Sequence, residues 1–151
     1  MTDPLHLVVH RPVRSGGEVT LSLTMPSDLA LVGDAVELVT RQCDVGVLSP
    51  RRLSFNLRTA LAEALANAIA YGNRHDRAKM VRVEITIGSE AVRITVADDG
   101  AGFDPAQVPD PTAPENVGRE DGRGLFVLRH LVDHVEFNRQ GNSVCLVLRA
   151  G

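Results

Sequence analysis

Cysteine is scarce in this chain. Cys43 and Cys145 are the only two among 151 residues. They lie far apart, and no Cys-x-x-Cys spacing occurs. That argues against a disulfide framework and against a thiolate metal site, and it predicts two small buried hydrophobes in a reducing compartment. Lysine is almost absent: Lys79 is the single one, and all other basic side chains are arginine. We read this as genomic bias. Excess positive charge is also missing. The formal net charge is -3 and the pI about 5.9, so neither nucleic acid nor an anionic membrane is a default partner. No apolar run approaches the roughly 18 residues that would span a bilayer. The opening "MTDPLHLVVHRP" has no basic start followed by a long apolar stretch, so no signal peptide is predicted. The expected location is cytoplasmic. Internal repeats and low-complexity tracts are absent as well.

What remains is an ordinary soluble composition, 44% hydrophobic and 23% charged, long enough for one domain with a sizeable core. "LHLVVH" is either a short strand or an extension ending at Arg11-Pro12. "EVTLSLTMP" alternates Val19, Leu21, Leu23 and Met25 and reads as a strand stopped by Pro26. Ser27 or Asp28 then caps a helix whose apolar residues Leu31, Ala35, Leu38 and Val39 have helical spacing, with Gly46 ending it. A longer helix is predicted from Arg51 to Tyr71, with Leu57, Leu61, Leu65 and Ile69 as its core stripe and Gly72-Asn73 as its terminator. "MVRVEITIG" and "AVRITVAD" form an antiparallel pair joined at Gly88-Ser89. A Pro- and acid-rich stretch follows over 103–121. "GLFVLRHLVDHV" reads as an amphipathic helix running to Val135, and two strands around Gln140-Gly141 close the chain. Strands and helices do not alternate regularly, so the expected class is α+β: a mostly antiparallel sheet with helices on one face.

Three stretches carry chemistry. In "EALANAIAYGN", Glu63 and Asn67 lie one turn apart, opposite the leucine stripe, with Ala60 and Ala70 as neighbours and Asn56 projecting the same way. An ordinary solvated face would carry more charge; a lightly decorated surface rich in helix-forming Ala is an equally weighted alternative. In "VADDGAGF", a strand ends in Asp98-Asp99-Gly100-Ala101-Gly102. Two glycines one residue apart let backbone approach a flat ligand, and an Asp beside them can accept from an exocyclic amine; a plain Asp-Gly turn is the bland reading. In "GREDGRGLFVLRHLVDHV", Gly118, Gly122 and Gly124 cluster before a helix whose N-terminus would attract an anion. Arg119 and Arg123 could reach phosphate oxygens. The preceding loop of about eighteen residues, stiffened by Pro105, Pro109, Pro111 and Pro114, fits a lid. His130 and His134 are four apart on the last helix, but no third metal ligand accompanies them. No nucleophile elbow or triad order is present.

Taken in order, these blocks resemble the GHKL ATPases, and most of all the anti-sigma-factor serine/threonine kinases, the RsbW-like branch. "EALANAIAYGN", "DDGAGFDP", "VPDPTAPEN" and "GRGLFVLRHLVDHVEF" carry the likeness, which runs from about Val19 to Leu148. It implies a Bergerat-type two-layer sandwich with a mostly antiparallel mixed sheet and an ATP lid, residues 19–151 forming the ATP-binding kinase domain and 1–18 an N-terminal extension. By the resemblance, Glu63 would be the general base toward a serine or threonine hydroxyl, and Asn67 would bind Mg²⁺ at the ATP phosphates. Asp98 would accept from adenine, with Gly100 and Gly102 against the base. Gly122, Gly124 and Arg123 would meet the phosphates, and Ser143 would stand where the family usually has Thr beside adenine. Tyr71 departs from the family's common His. The implied function is phosphorylation of a STAS-domain anti-sigma antagonist and control of a sigma factor by partner switching, in a homodimer, with ATP and Mg²⁺ as cofactors. The alternative is an ATP-gated protein-binding module of the same fold without phosphotransfer. A sensor histidine kinase would need upstream dimerisation helices with a phosphoacceptor His, and a gyrase- or MutL-like ATPase would need a transducer domain.

Overall fold

The computed structural model describes residues 5–10, 18–100 and 123–150. Six strands form one sheet in the order β1-β2-β3-β4-β6-β5. They are β1 (His6–His10), β2 (Val19–Pro26), β3 (Met80–Ile87), β4 (Ala91–Ala97), β5 (His134–Phe137) and β6 (Ser143–Arg149). Every pairing among them is antiparallel. Three helices join them: α1 (Val32–Cys43), α2 (Arg58–Asn67) and α3 (Arg123–Leu131).

Alternation in the strands decides which face is buried. Leu21, Leu23, Met25, Val81, Val83, Ile85, Val92, Ile94, Val96, Leu146 and Leu148 turn inward against the helices. Arg82, Glu84 and Arg93, one residue out of step, are exposed on the other face. The predicted α+β architecture with helices on one face is what the chain adopts. "LHLVVH" is a strand: β1 pairs with β2 from His6 opposite Thr24 to His10 opposite Thr20.

Of the two candidate caps, Asp28 is the one used. Its carboxylate accepts from the Ala30 amide at 3.0 Å and opens a tight turn, Leu29–Leu31, that leads into α1. Ser27 is buried and donates instead to the Lys79 carbonyl at 2.8 Å. α2 is the middle of a longer helical run, with wider π turns at Arg52–Leu57 and Ala68–Gly72. Its stripe of Leu57, Leu61, Leu65 and Ile69 is fully buried, as the four-residue spacing predicts.

The last helix is shorter than its apolar pattern suggests. α3 stops at Leu131, and Val135 belongs to β5. The Asp133 amide donates to the Val147 carbonyl at 2.9 Å, which turns the chain from helix into sheet. His134 is therefore a strand residue, and the helical His130/His134 spacing disappears. Among the described residues, no group of three metal-ligating side chains forms, and no helix is long and apolar enough to cross a membrane. Cys43 and Cys145 are unpaired; Cys43 is buried and Cys145 half-buried on the outer face. Burial pushes the Cys43 thiol up to about 12, which leaves it inert.

Candidate functional site

Glu63 and Asn67 lie one turn apart on α2, both half-buried. Among the described residues, no hydrogen bond or ion pair engages either side chain. Ala60, one turn before Glu63 on the same side of α2, is fully buried and adjoins the buried row of Ala64 and Ala68. The buried arc of α2 is therefore wider than one row of leucines and reaches the edge of the Glu63–Asn67 face. Asn56 shares the direction of Glu63 but is spent on structure, donating from Nδ2 to the Leu131 carbonyl at 2.8 Å. It thereby satisfies an orphan carbonyl at the end of α3.

The second block meets the end of this helical run. Asp98 follows β4, and by alternation it points to the same side as Ile94 and Val96. Gly72 packs directly against it. A Cβ on Gly72 would sit 2.3 Å from Asp98 Oδ2, and a Cβ on Gly100 would sit 2.1 Å from the Gly72 carbonyl oxygen. Neither contact tolerates a side chain. Gly72 is thus not the left-handed terminator its sequence position suggested; the positive φ angles fall on Arg74 and His75, at 51° and 60°. Its smallness serves a close approach between helix and turn.

Asp98 and Asp99 divide the work. Asp99 is held outward: Oδ2 accepts from the Met80 amide at 2.9 Å and Oδ1 from Arg82 at 2.9 Å. Those two donors hold its carboxyl below the usual range. Among the described residues, Asp98 accepts only the Gly100 amide, at 2.8 Å. Burial pushes its carboxyl upward, against the smaller opposing effect of that amide. One carboxylate stabilises the turn, and the other stands half-buried beside two glycines with acceptor capacity left.

Asn73 links these parts, and its role was not visible from the sequence, where it read only as a helix end. It is fully buried. Its Nδ2 donates to Ser27 Oγ at 2.8 Å and to the Met80 carbonyl at 3.0 Å. Its Oδ1 accepts the Asp99 amide at 2.8 Å. Asn142 was missed too. Its carbonyl accepts the Asp98 amide at 2.9 Å, and its Nδ2 donates to the Gly100 carbonyl at 3.2 Å. Ser143, the residue singled out there, pairs with Ala97 and alternates with Cys145 and Val147, on the sheet face away from the helices. The side chain touching the Gly100 turn is its neighbour's.

Gly102, Gly118, Arg119, Gly122 and the 103–121 lid lie outside the described residues. Arg123 and Gly124 begin α3. The far end of that helix is fixed by Asn56 and by Asp133, which accepts from Arg52 at 2.8 Å and from the Arg149 amide at 2.7 Å.

The chain is thus a two-layer α+β sandwich with helices over an antiparallel sheet, an acid-amide pair on the central helix and an Asp-Gly turn packed on that helix's end. Residues 25–148 match the histidine kinase-like ATPase domain, and the chain belongs to that family. The resemblance to the RsbW-like branch is borne out by its curated relatives. It is 32% identical to the anti-sigma F factor of Clostridium perfringens over 91 residues, 58% of this chain and 64% of that protein. It is 29% identical to the serine-protein kinase RsbW of Oceanobacillus iheyensis, over 56% of this chain and 58% of that protein. The serine/threonine-protein kinase BtrW of Bordetella bronchiseptica is 25% identical over 59% and 64%. The matches span about three fifths of the length of these relatives.

Proposed function

We propose that this chain is an ATP-dependent protein serine/threonine kinase that phosphorylates a STAS-type anti-sigma-factor antagonist and controls a sigma factor by partner switching. The observation that carries the reading is Glu63 and Asn67, one turn apart on α2 and without hydrogen-bond partners among the described residues, in a chain whose relatives are named both kinases and anti-sigma factors. The donor set suits the ligand. An amide oxygen and phosphate oxygens are hard ligands that Mg²⁺ accepts while keeping several waters. The half-buried Asp98 carboxylate, beside Gly72 and Gly100, suits an exocyclic amine on a flat base.

Bound MgATP supplies the phosphoryl group and the divalent charge that neutralises it. The chain's residues do the remaining work. Glu63 would take the proton from the partner's serine or threonine hydroxyl, whose oxygen would bond to the γ-phosphorus as the bond to ADP breaks and ADP leaves. Asn67 would hold Mg²⁺ through its amide oxygen. Asp98 accepts from the adenine amine, and Gly100, with Gly102, lets backbone lie against the base. Asn142, rather than Ser143, supports this turn. Gly122, Gly124 and Arg123 attend the phosphates. The partner switch itself, a homodimeric assembly and a cytoplasmic location belong to the same reading.

The test is phosphate transfer from labelled MgATP to a STAS-domain protein encoded near this gene, with ATP titration calorimetry beside it. Label on a serine or threonine of the partner, lost in Glu63→Gln with ATP binding retained, supports the kinase. ATP binding that alters partner affinity in wild type and Glu63→Gln alike, without label, replaces the kinase with the ATP-gated binding module.

A further inference from the structure

We infer that Asn73 is a positioning residue for base recognition: its buried carboxamide sets the Asp98–Gly100 turn against the end of α2 and so determines preference for adenine. The inference rests on the nucleotide-site reading and deepens it. Fully buried carboxamides are uncommon and need their polar atoms satisfied. Asn73 meets that need by spanning four elements. Its own amide donates to the Ala68 carbonyl at 2.8 Å, closing the π turn after α2. Nδ2 reaches Ser27 after β2 and the Met80 carbonyl at the start of β3. Oδ1 takes the amide of Asp99, the residue next to Asp98.

The two ends of this side chain are separable. The Nδ2 end joins framework to framework. The Oδ1 end is the side-chain hydrogen bond from the helical run to the acidic turn. Gly72 cannot replace it, because its contact with Asp98 is steric and sets a nearest distance without setting an orientation. Asn142 and the Gly100 amide hold Asp98 within its own turn; a turn shifted as a whole against the end of α2 would no longer aim Asp98 to distinguish adenine, which offers an amine, from guanine, which offers a carbonyl oxygen at the corresponding position. Discrimination by a fixed polar partner is steep, and it collapses when the partner loses its support.

The test compares ATP and GTP affinity by calorimetry in wild type, Asn73→Ala, Asn73→Asp and Ser27→Ala, with thermal melting of each. Asn73→Asp keeps Oδ1 for the Asp99 amide but turns the donor end into an acceptor facing the Met80 carbonyl and adds a buried charge. Ser27→Ala removes one framework partner and leaves the turn's hydrogen bond intact. We expect Asn73→Ala to lose at least about tenfold in ATP affinity with GTP little changed. Asn73→Asp and Ser27→Ala should melt earlier yet keep the wild-type ATP preference. An unchanged ATP-to-GTP ratio in Asn73→Ala would overturn the inference. So would an equal loss of that ratio in Ser27→Ala, which would make the effect one of framework stability. If Asn73→Ala does not fold, the Asn73→Asp arm decides: a lost preference there, in a folded protein, contradicts the role. Absence of ATP binding by wild type would instead sink the nucleotide site itself and this role with it.

Discussion

Two neighbouring aspartates experience opposite environments, and the difference is a residue-scale matter of burial against donors. Asp98 has its carboxyl raised by burial. Its ionised form is therefore disfavoured in the folded chain, and it costs stability as pH rises through the unfolded and then the folded pKa. Asp98→Asn removes that cost. At neutral pH we expect the variant to melt at or above the wild-type temperature while binding ATP roughly tenfold more weakly, since the hydrogen bond to the adenine amine loses its charged acceptor. A melting scan and a calorimetric titration read the two effects. Gly72→Ala acts on the same pair by geometry. The new Cβ would sit 2.3 Å from Asp98 Oδ2, so the Asp98 carboxylate must be displaced. We expect a folded, destabilised protein with ATP affinity reduced by at least about tenfold. Wild-type affinity in that variant would show that the carboxylate can shift without consequence.

Among the elements, α3 is the one whose C-terminal docking rests most visibly on named polar contacts. Asn56 takes the carbonyl of its last residue, and Asp133 ties the following turn to Arg52 and to β6. The guanidinium of Arg52, and then the Arg149 amide, hold the Asp133 carboxyl below the usual range. A depressed carboxylate contributes stability above its unfolded pKa and loses it as pH falls through the folded one. We therefore expect the wild-type melting temperature to fall in acid more than that of Asp133→Ala. At neutral pH the variant should be less stable by about 1 kcal/mol, discounted for partial exposure. Identical pH profiles would remove Asp133 from the account.

Legibility divides along the same lines. Strand alternation and the α2 stripe were readable because burial repeats at fixed periods. The end of α3 was not, because apolar residues continue through Val135 while the geometry changes at Asp133; a period of helix and a period of strand overlap over so few residues. The site's motifs were readable as residue types. Glu63, Asn67, Asp98 and Gly100 occupy the elements their motifs predicted. Asn73, Asn142 and the steric need at Gly72 were not readable, since each depends on contacts between segments distant in sequence. The contact of Asn142 with the Gly100 turn was likewise unreadable, since the pairing of β6 with β4 decides which side chains near Ser143 reach that turn.

For the whole molecule, the sheet is a platform and α2 lies over it with its core stripe down. Its run ends where β4 ends, which brings an acid-amide pair and an acid-glycine turn together on one structural unit. The chain belongs to the histidine kinase-like ATPase family, and the central claim is that it uses this arrangement to move phosphate to protein. The most direct test is a single-turnover transfer from labelled MgATP to the STAS-domain partner, comparing wild type with Glu63→Gln at saturating nucleotide. The account predicts label on a partner serine or threonine, formed at least roughly a hundredfold more slowly in the variant at matched ATP occupancy. Equal rates in the two proteins, or MgATP bound by the wild type with no label on the partner it engages, would contradict it.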